Sequence, residues 1–141
     1  MTELELQAQV ADYIRLQYPS VIFHSDFGSG IKLTMGQAIK QKRLNGGRRS
    51  WPDMFIAETV IVKRKDGTYE GLSGLFIELK KEGTRILKKD GTLVSDTHIR
   101  EQFDMLRDLR ARGYAAEFGI GFEDTKKLID SYMRGEYVHN D

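Results

Sequence analysis

The chain has no cysteine. Disulfides and thiolate metal sites are both excluded, so any bound metal must be held by oxygen ligands or by the three histidines. His24, His98 and His139 are too scattered along the sequence to suggest a zinc site. Long apolar runs are missing as well, since no stretch approaches the roughly 20 residues that a membrane-crossing helix needs. The N-terminal MTELELQAQ lacks both the basic start and the apolar segment of a secretory signal. A soluble protein that meets no membrane is the expectation. No repeats, low-complexity segments or linker-like stretches interrupt the sequence. Residues 1–141 therefore read as a single domain, long enough to bury a core without staples.

One further absence is local. Between Asp26 and Asp53 there is no acidic residue, while Lys32, Lys40, Lys42, Arg43, Arg48 and Arg49 give that interval a charge of +6. The remainder sums to −5, with 16 basic residues against 21 acidic, and the near-neutral total hides the asymmetry. Such a segment can be a solvated loop, but a clustered positive surface beside glycines more often meets phosphate. Nucleic acid is the expected partner.

Hydrophobic spacing and turn residues lay out one αβ arrangement. Helices are expected over Glu3 to Tyr18, Thr34 to Leu44 and Thr97 to Arg112. A last helix runs from Asp124, read as its cap, to Met133. Strands are expected over Val21 to His24, Met54 to Val62, the stretch around Leu75 to Lys80, and Tyr114 to Phe122. Phe27 to Gly30 reads as a glycine-containing loop. Lys65-Asp66-Gly67 and Lys89-Asp90-Gly91 are turn signals.

The stretch "LFIELKK" at 75–81 is the most informative. On a strand, Leu75, Ile77 and Leu79 share one face, while Phe76, Glu78 and Lys80 share the other. Glu78 and Lys80 then lie roughly 6–7 Å apart, and charges on a mostly buried strand are costly without partners. Pro52-Asp53 opens another strand, where proline is tolerated at the first position. If the two strands pair through the Asp66-Gly67 hairpin, Asp53 and Glu78 converge at one sheet end. Two carboxylates there repel unless a cation sits between them. Mg²⁺ suits them, since it takes one or two carboxylates plus waters and phosphate oxygens. A plain ion pair of Glu78 with Lys80, and a turn-capping Asp53, are the alternatives.

Pro52-Asp53 with Glu78-Leu79-Lys80 resembles the PD-(D/E)XK signature of the restriction-endonuclease-like superfamily. Further stretches resemble its VRR-NUC (virus-type replication-repair nuclease) branch, namely Gly47-Arg48-Arg49-Ser50-Trp51-Pro52-Asp53, Gly74 to Lys80, and Gln102 with Leu106, Leu109 and Gly113. A first helix carrying Glu3 a turn before Gln7 fits the same branch. The resemblance runs from Glu3 to about Met133 and is to a stand-alone, phage-type member. In the family glycine sits directly or nearly directly before Pro-Asp, whereas here Ser50-Trp51 intervene.

The resemblance implies an α/β fold with a restriction-endonuclease-like core, a mixed central sheet flanked by helices. It also implies a DNA endonuclease dependent on Mg²⁺ or Mn²⁺, acting on branched DNA such as four-way junctions as a homodimer. A phage-encoded member would work in the cytoplasm of its bacterial host. Asp53, Glu78, Glu3 and the Leu79 carbonyl would hold the metal. Lys80 would orient the attacking water and stabilise phosphate charge, and Gln102 would help position Lys80 or the water. Helical spacing places Glu3 with Gln7, Val10 and Ile14, and Glu5 with the polar face, so Glu3 is the expected helix-1 ligand. The six basic residues from Lys32 to Arg49 would hold the DNA backbone, and Trp51 either stacks on a base or belongs to the core. Asp124-Thr125-Lys126 also fits D-x-K, but it lies at a helix start without a Pro-Asp partner and reads as structural. A flap-directed or nonspecific monomeric nuclease, a sequence-specific nuclease, and an inactive DNA-binding module are the alternatives.

Overall fold

A computed structural model describes residues 1–26 and 32–139. The expected loop at 27–30 falls outside the described residues. Helix α1, Glu3–Gln17, starts at a capping box in which Thr2 and Glu5 satisfy each other's backbone N–H groups. It buries Leu6, Gln7, Val10 and Ile14 as one stripe and stops at Tyr18, ahead of Pro19. Strand β1 is Phe23–Ser25, starting two residues and ending one residue later than expected, with Ile22 left exposed. Helix α2, Met35–Leu44, also has a capping box, between Thr34 and Gln37, and ends where Gly46 and Gly47 take positive φ. The remaining elements are β2 (Met54–Ile56), β3 (Val60–Lys63), β4 (Tyr69–Leu72), β5 (Leu75–Lys80), α3 (Thr97–Arg110), β6 (Ala115–Ile120) and α4 (Gly121–Met133).

The central sheet has the order β1-β2-β5-β6. The first two pairings are antiparallel and β5–β6 is parallel, so the sheet is mixed, with α3 forming the crossover. The alternation along β5 matches the sequence reading. Leu75, Ile77 and Leu79 pack with Leu6, Val10, Ile14, Ile129 and Tyr132 of α1 and α4. Phe76 faces the other way, against Met105, Leu106 and Leu109 of α3. Each large side chain buried in these two layers contributes about 1.5–3 kcal/mol. Helices therefore cover both faces, and Glu78 and Lys80 share Phe76's side, toward α3.

Several expectations need correction. The strand expected over Met54 to Val62 is two strands, because Ala57-Glu58-Thr59 oppose only Ser73-Gly74 and the ladder cannot continue in register. The Glu58 carbonyl freed at this break accepts the hydroxyl of fully buried Tyr132 at 2.5 Å. Gly74 is required here, since a Cβ on it would lie 2.4 Å from a ring carbon of Phe55. The Asp66-Gly67 hairpin consequently joins β3 and β4 in a separate two-stranded sheet, and the pairing of β2 with β5 spans the whole excursion. The strand expected to reach Phe122 ends at Ile120, and α4 starts at Gly121 instead of being capped by Asp124. Asp124 lies inside the first turn and accepts the Ile120 N–H at 2.9 Å. Helix α3 ends at Arg110 rather than Arg112, with Gly113 at positive φ in the turn that follows. The Asp90-Gly91 turn forms as expected, with Leu87 bridging Leu93.

Candidate active site

The buried polar and charged residues are few. Among the described residues they are Gln7, Asp53, Glu78, Lys80, Gln102 and Thr125. Thr125 is satisfied within α4, donating to the Gly121 carbonyl at 2.7 Å. The other five surround one end of the sheet.

Backbone register puts them there. Met54 pairs with Ile77, so one step further along this antiparallel ladder Asp53 stands opposite Glu78, on the same face. Asp53 Oδ2 accepts the Leu79 N–H at 2.7 Å, which fixes the carboxylate at the strand end. The β1–β2 register extends in the same way to Asp26, whose N–H donates to the Asp53 carbonyl at 2.8 Å. Gln7 of α1 donates to the Asp26 carbonyl at 3.0 Å, tying the helix to this end of the sheet. From the other face of the row, Gln102 of α3 donates to Glu78 Oε1 at 2.5 Å and lies 3.1 Å from His98 Nε2, one turn earlier.

Glu78 is the electrostatic centre. Burial pushes its pKa upward most, the charge of Asp53 adds to the rise, Lys80 opposes it and Glu3 raises it a little further. Its Oε2 is buried with no hydrogen-bond partner, and so is Oε1 of Gln102. A buried polar atom without a partner costs about 1–3 kcal/mol, so the native fold carries an unmet demand for a donor or cation here. A divalent ion would answer both the orphaned oxygen and the carboxylate repulsion. Two buried carboxylates fit a hard cation that completes its shell with water and phosphate oxygens. No cluster of three or more metal-ligating side chains is present among the described residues.

The remaining expected residues fall into place unevenly. Glu3 is exposed rather than part of the buried stripe, yet its charge acts on Glu78. Glu5 is engaged at the Thr2 cap. Leu79 is buried, with its N–H given to Asp53. A cleft of about 550 Å³ opens over Asp53, Glu78, His98 and Gln102, and Lys42, Arg48 and Arg49 line it. Lys32, Lys40 and Arg43 are exposed and do not line this cleft. Arg48 is held by Asp108 at 3.1 Å. Trp51 is 41% exposed at the cleft wall and leans on Phe76, so it is not a core residue. His98 and Asp26 are cleft residues that sequence reasoning passed over. The four-residue spacing of His98 and Gln102 on one helix was the available signal for the first, and Asp26 carried none.

No family model and no curated protein matches the chain. A solved structure described as "VRR_NUC domain protein" superposes with a TM-score of 0.60 and 22% identity, over 95% of this chain and 89% of that one. The fold is shared, and the mixed central sheet flanked by helices that the resemblance implies is the architecture of this chain.

Proposed function

We propose that residues 1–141 form one nuclease domain, a divalent-metal-dependent endonuclease that hydrolyses phosphodiester bonds in branched DNA such as four-way junctions. The observation that carries the reading is the buried, partnerless Glu78 Oε2 opposite Asp53, beside Lys80 and beneath a cleft lined by cations. The shared fold supports it. Asp53, Glu78 and the Leu79 carbonyl would hold Mg²⁺ or Mn²⁺, with Glu3 reaching in from the start of α1. When bound, the ion supplies charge neutralisation at the phosphate and a lowered pKa for coordinated water. Lys80 places a positive charge beside the attacked phosphate, and Gln102 holds the Glu78 carboxyl in orientation.

Lys42, Arg48 and Arg49 would clamp the DNA backbone at the cleft, with Lys32, Lys40 and Arg43 extending the positive field outward. One such site cuts one strand. Symmetric resolution of a four-way junction needs two, and a two-fold homodimer provides them. Among the described residues no helix is long and apolar enough to cross a membrane.

The test is cleavage of labelled linear, single-stranded, flapped and four-way-junction DNA with Mg²⁺, Mn²⁺ or EDTA, alongside light scattering. Metal-dependent cutting with the junction preferred, by a dimer, is expected. A monomer that cuts linear duplex as fast as a junction would remove the junction reading. Full cleavage in EDTA would remove metal dependence.

A further inference from the structure

Helix α2 buries none of its residues. A ten-residue helix is marginal in isolation and gains most of its stability from packing an apolar face. Its caps are good, but Met35 and Ile39 are 82% and 65% exposed. Met35, Ala38, Ile39 and Lys42 recur at three- and four-residue spacing, and all four line the cleft that holds Asp53, Glu78 and Gln102. Trp51 adds a third large apolar side chain to the same cleft. An apolar lining is out of place if the cleft takes only intact duplex, which presents phosphates and groove edges while its base faces stay stacked. Apolar side chains gain from DNA where a base face is uncovered or can be wedged open.

We infer that α2 is a base-reading arm, in which Met35 and Ile39, facing a cleft shared with Trp51, hold an unstacked base next to the scissile phosphate. The substrate class is then DNA with an unpaired or readily unstacked base at the cut, as at a branch point, and α2 completes its packing only on that DNA. This rests on the nuclease reading above and specifies what the same site selects. The cations and the apolar pair divide the work. Lys42, Arg48 and Arg49 bind any backbone, whereas Met35 and Ile39 discriminate by base exposure.

The experiment places 2-aminopurine at the branch of a four-way junction, with a linear duplex as reference. Fluorescence on binding is read in EDTA, and cleavage is read separately with Mg²⁺. Both Met35 and Ile39 are surface residues, so the double variant M35A/I39A should fold. Leu44→Ala, also exposed on α2 but outside the cleft lining, is the control. Wild type and Leu44→Ala should raise the fluorescence of the junction, and M35A/I39A should lose that rise. Junction cleavage by the double variant should fall about tenfold, the size of one lost base-stacking contact. Its affinity for linear duplex should stay within about twofold, because phosphate contacts dominate there. An unchanged fluorescence rise and junction rate in M35A/I39A would overturn the inference. A double variant that turns monomeric by light scattering while wild type is dimeric would also overturn it, assigning the apolar pair to an interface between copies. If wild type cuts no DNA under any condition, the nuclease reading itself fails, which the wild-type reactions report separately.

Discussion

Two glutamates on neighbouring strands show how differently one residue type can be used. Glu117 on β6 is half-buried and its carboxylate is well served. Tyr137 donates to it at 2.5 Å, the His139 ring nitrogen lies 2.8 Å away and Arg110 stands at 3.6 Å. That cluster pins the C-terminal residues onto the sheet. Glu78 on β5 is more deeply buried, faces the like charge of Asp53, and leaves one oxygen with no partner. Burial alone does not mark a functional carboxylate, since both sites remove charge from water. Gln9 Oε1 and Ser25 Oγ are also buried without a partner, so what singles out Glu78 is a partnerless oxygen on a buried carboxylate that also faces a like charge.

The largest separation between the two should appear in activity. Asp53→Asn and Glu78→Gln should abolish cleavage while the protein stays folded, and Lys80→Ala should do the same without weakening metal binding. Glu117→Gln should leave cleavage intact but cost about 1–3 kcal/mol of stability through its lost charge-assisted bonds, read by denaturant unfolding. A Glu117→Gln protein as inactive as Glu78→Gln would erase the distinction.

The next effect is in pH. The folded protein holds the Glu78 proton more tightly than the unfolded chain, with a pKa pushed up from 4.5 to about 9 by burial and by Asp53. The contribution to stability is therefore complete below about pH 4.5 and is lost as the pH rises through about 9. In EDTA the melting temperature should decline across that window in wild type, and the decline should flatten in Glu78→Gln. Mg²⁺ added near pH 8 should recover stability in wild type alone. Identical slopes in the two proteins would place the titration elsewhere.

The smallest effect concerns the rim. Replacing Arg48 and Arg49 with alanine should weaken binding to all DNA sequences alike and reduce the slope of log affinity against log salt by about 2, near one per lost phosphate contact. Arg48 already pairs with Asp108, so Arg49→Ala should account for the larger share. A loss confined to one sequence would mean that these residues read bases.

The same contrast explains what the amino-acid sequence could and could not convey. Glu78 was legible because a charged pair interrupts an apolar strand at a spacing that puts both charges on one face, and Pro52-Asp53 supplied a second carboxylate at a strand start. The partners that distinguish the two glutamates are remote in sequence. Tyr137 and His139 lie about 20 residues beyond Glu117, and Gln102 lies 24 beyond Glu78. The convergence of Asp53 with Glu78 was anticipated, but through the wrong connection. The second strand breaks at Ala57 to Thr59, where Tyr132 of the last helix donates to the freed Glu58 carbonyl, and no local pattern announces that contact. Helix α2 was legible as a helix from Thr34 and Gln37. Its lack of any packed face was not, because its apolar residues look like those of an ordinary core helix.

The central claim is that Asp53 and Glu78 form a metal site left unfinished by the fold, and titration calorimetry with Mn²⁺ tests it most directly. Near pH 7.5 wild type should bind the ion and release protons, because Glu78 must give up its own to become a ligand. Glu117→Gln should behave like wild type, and Asp53→Asn and Glu78→Gln should show neither binding nor proton release. Equal binding in Glu78→Gln and wild type, or none in wild type, would contradict it.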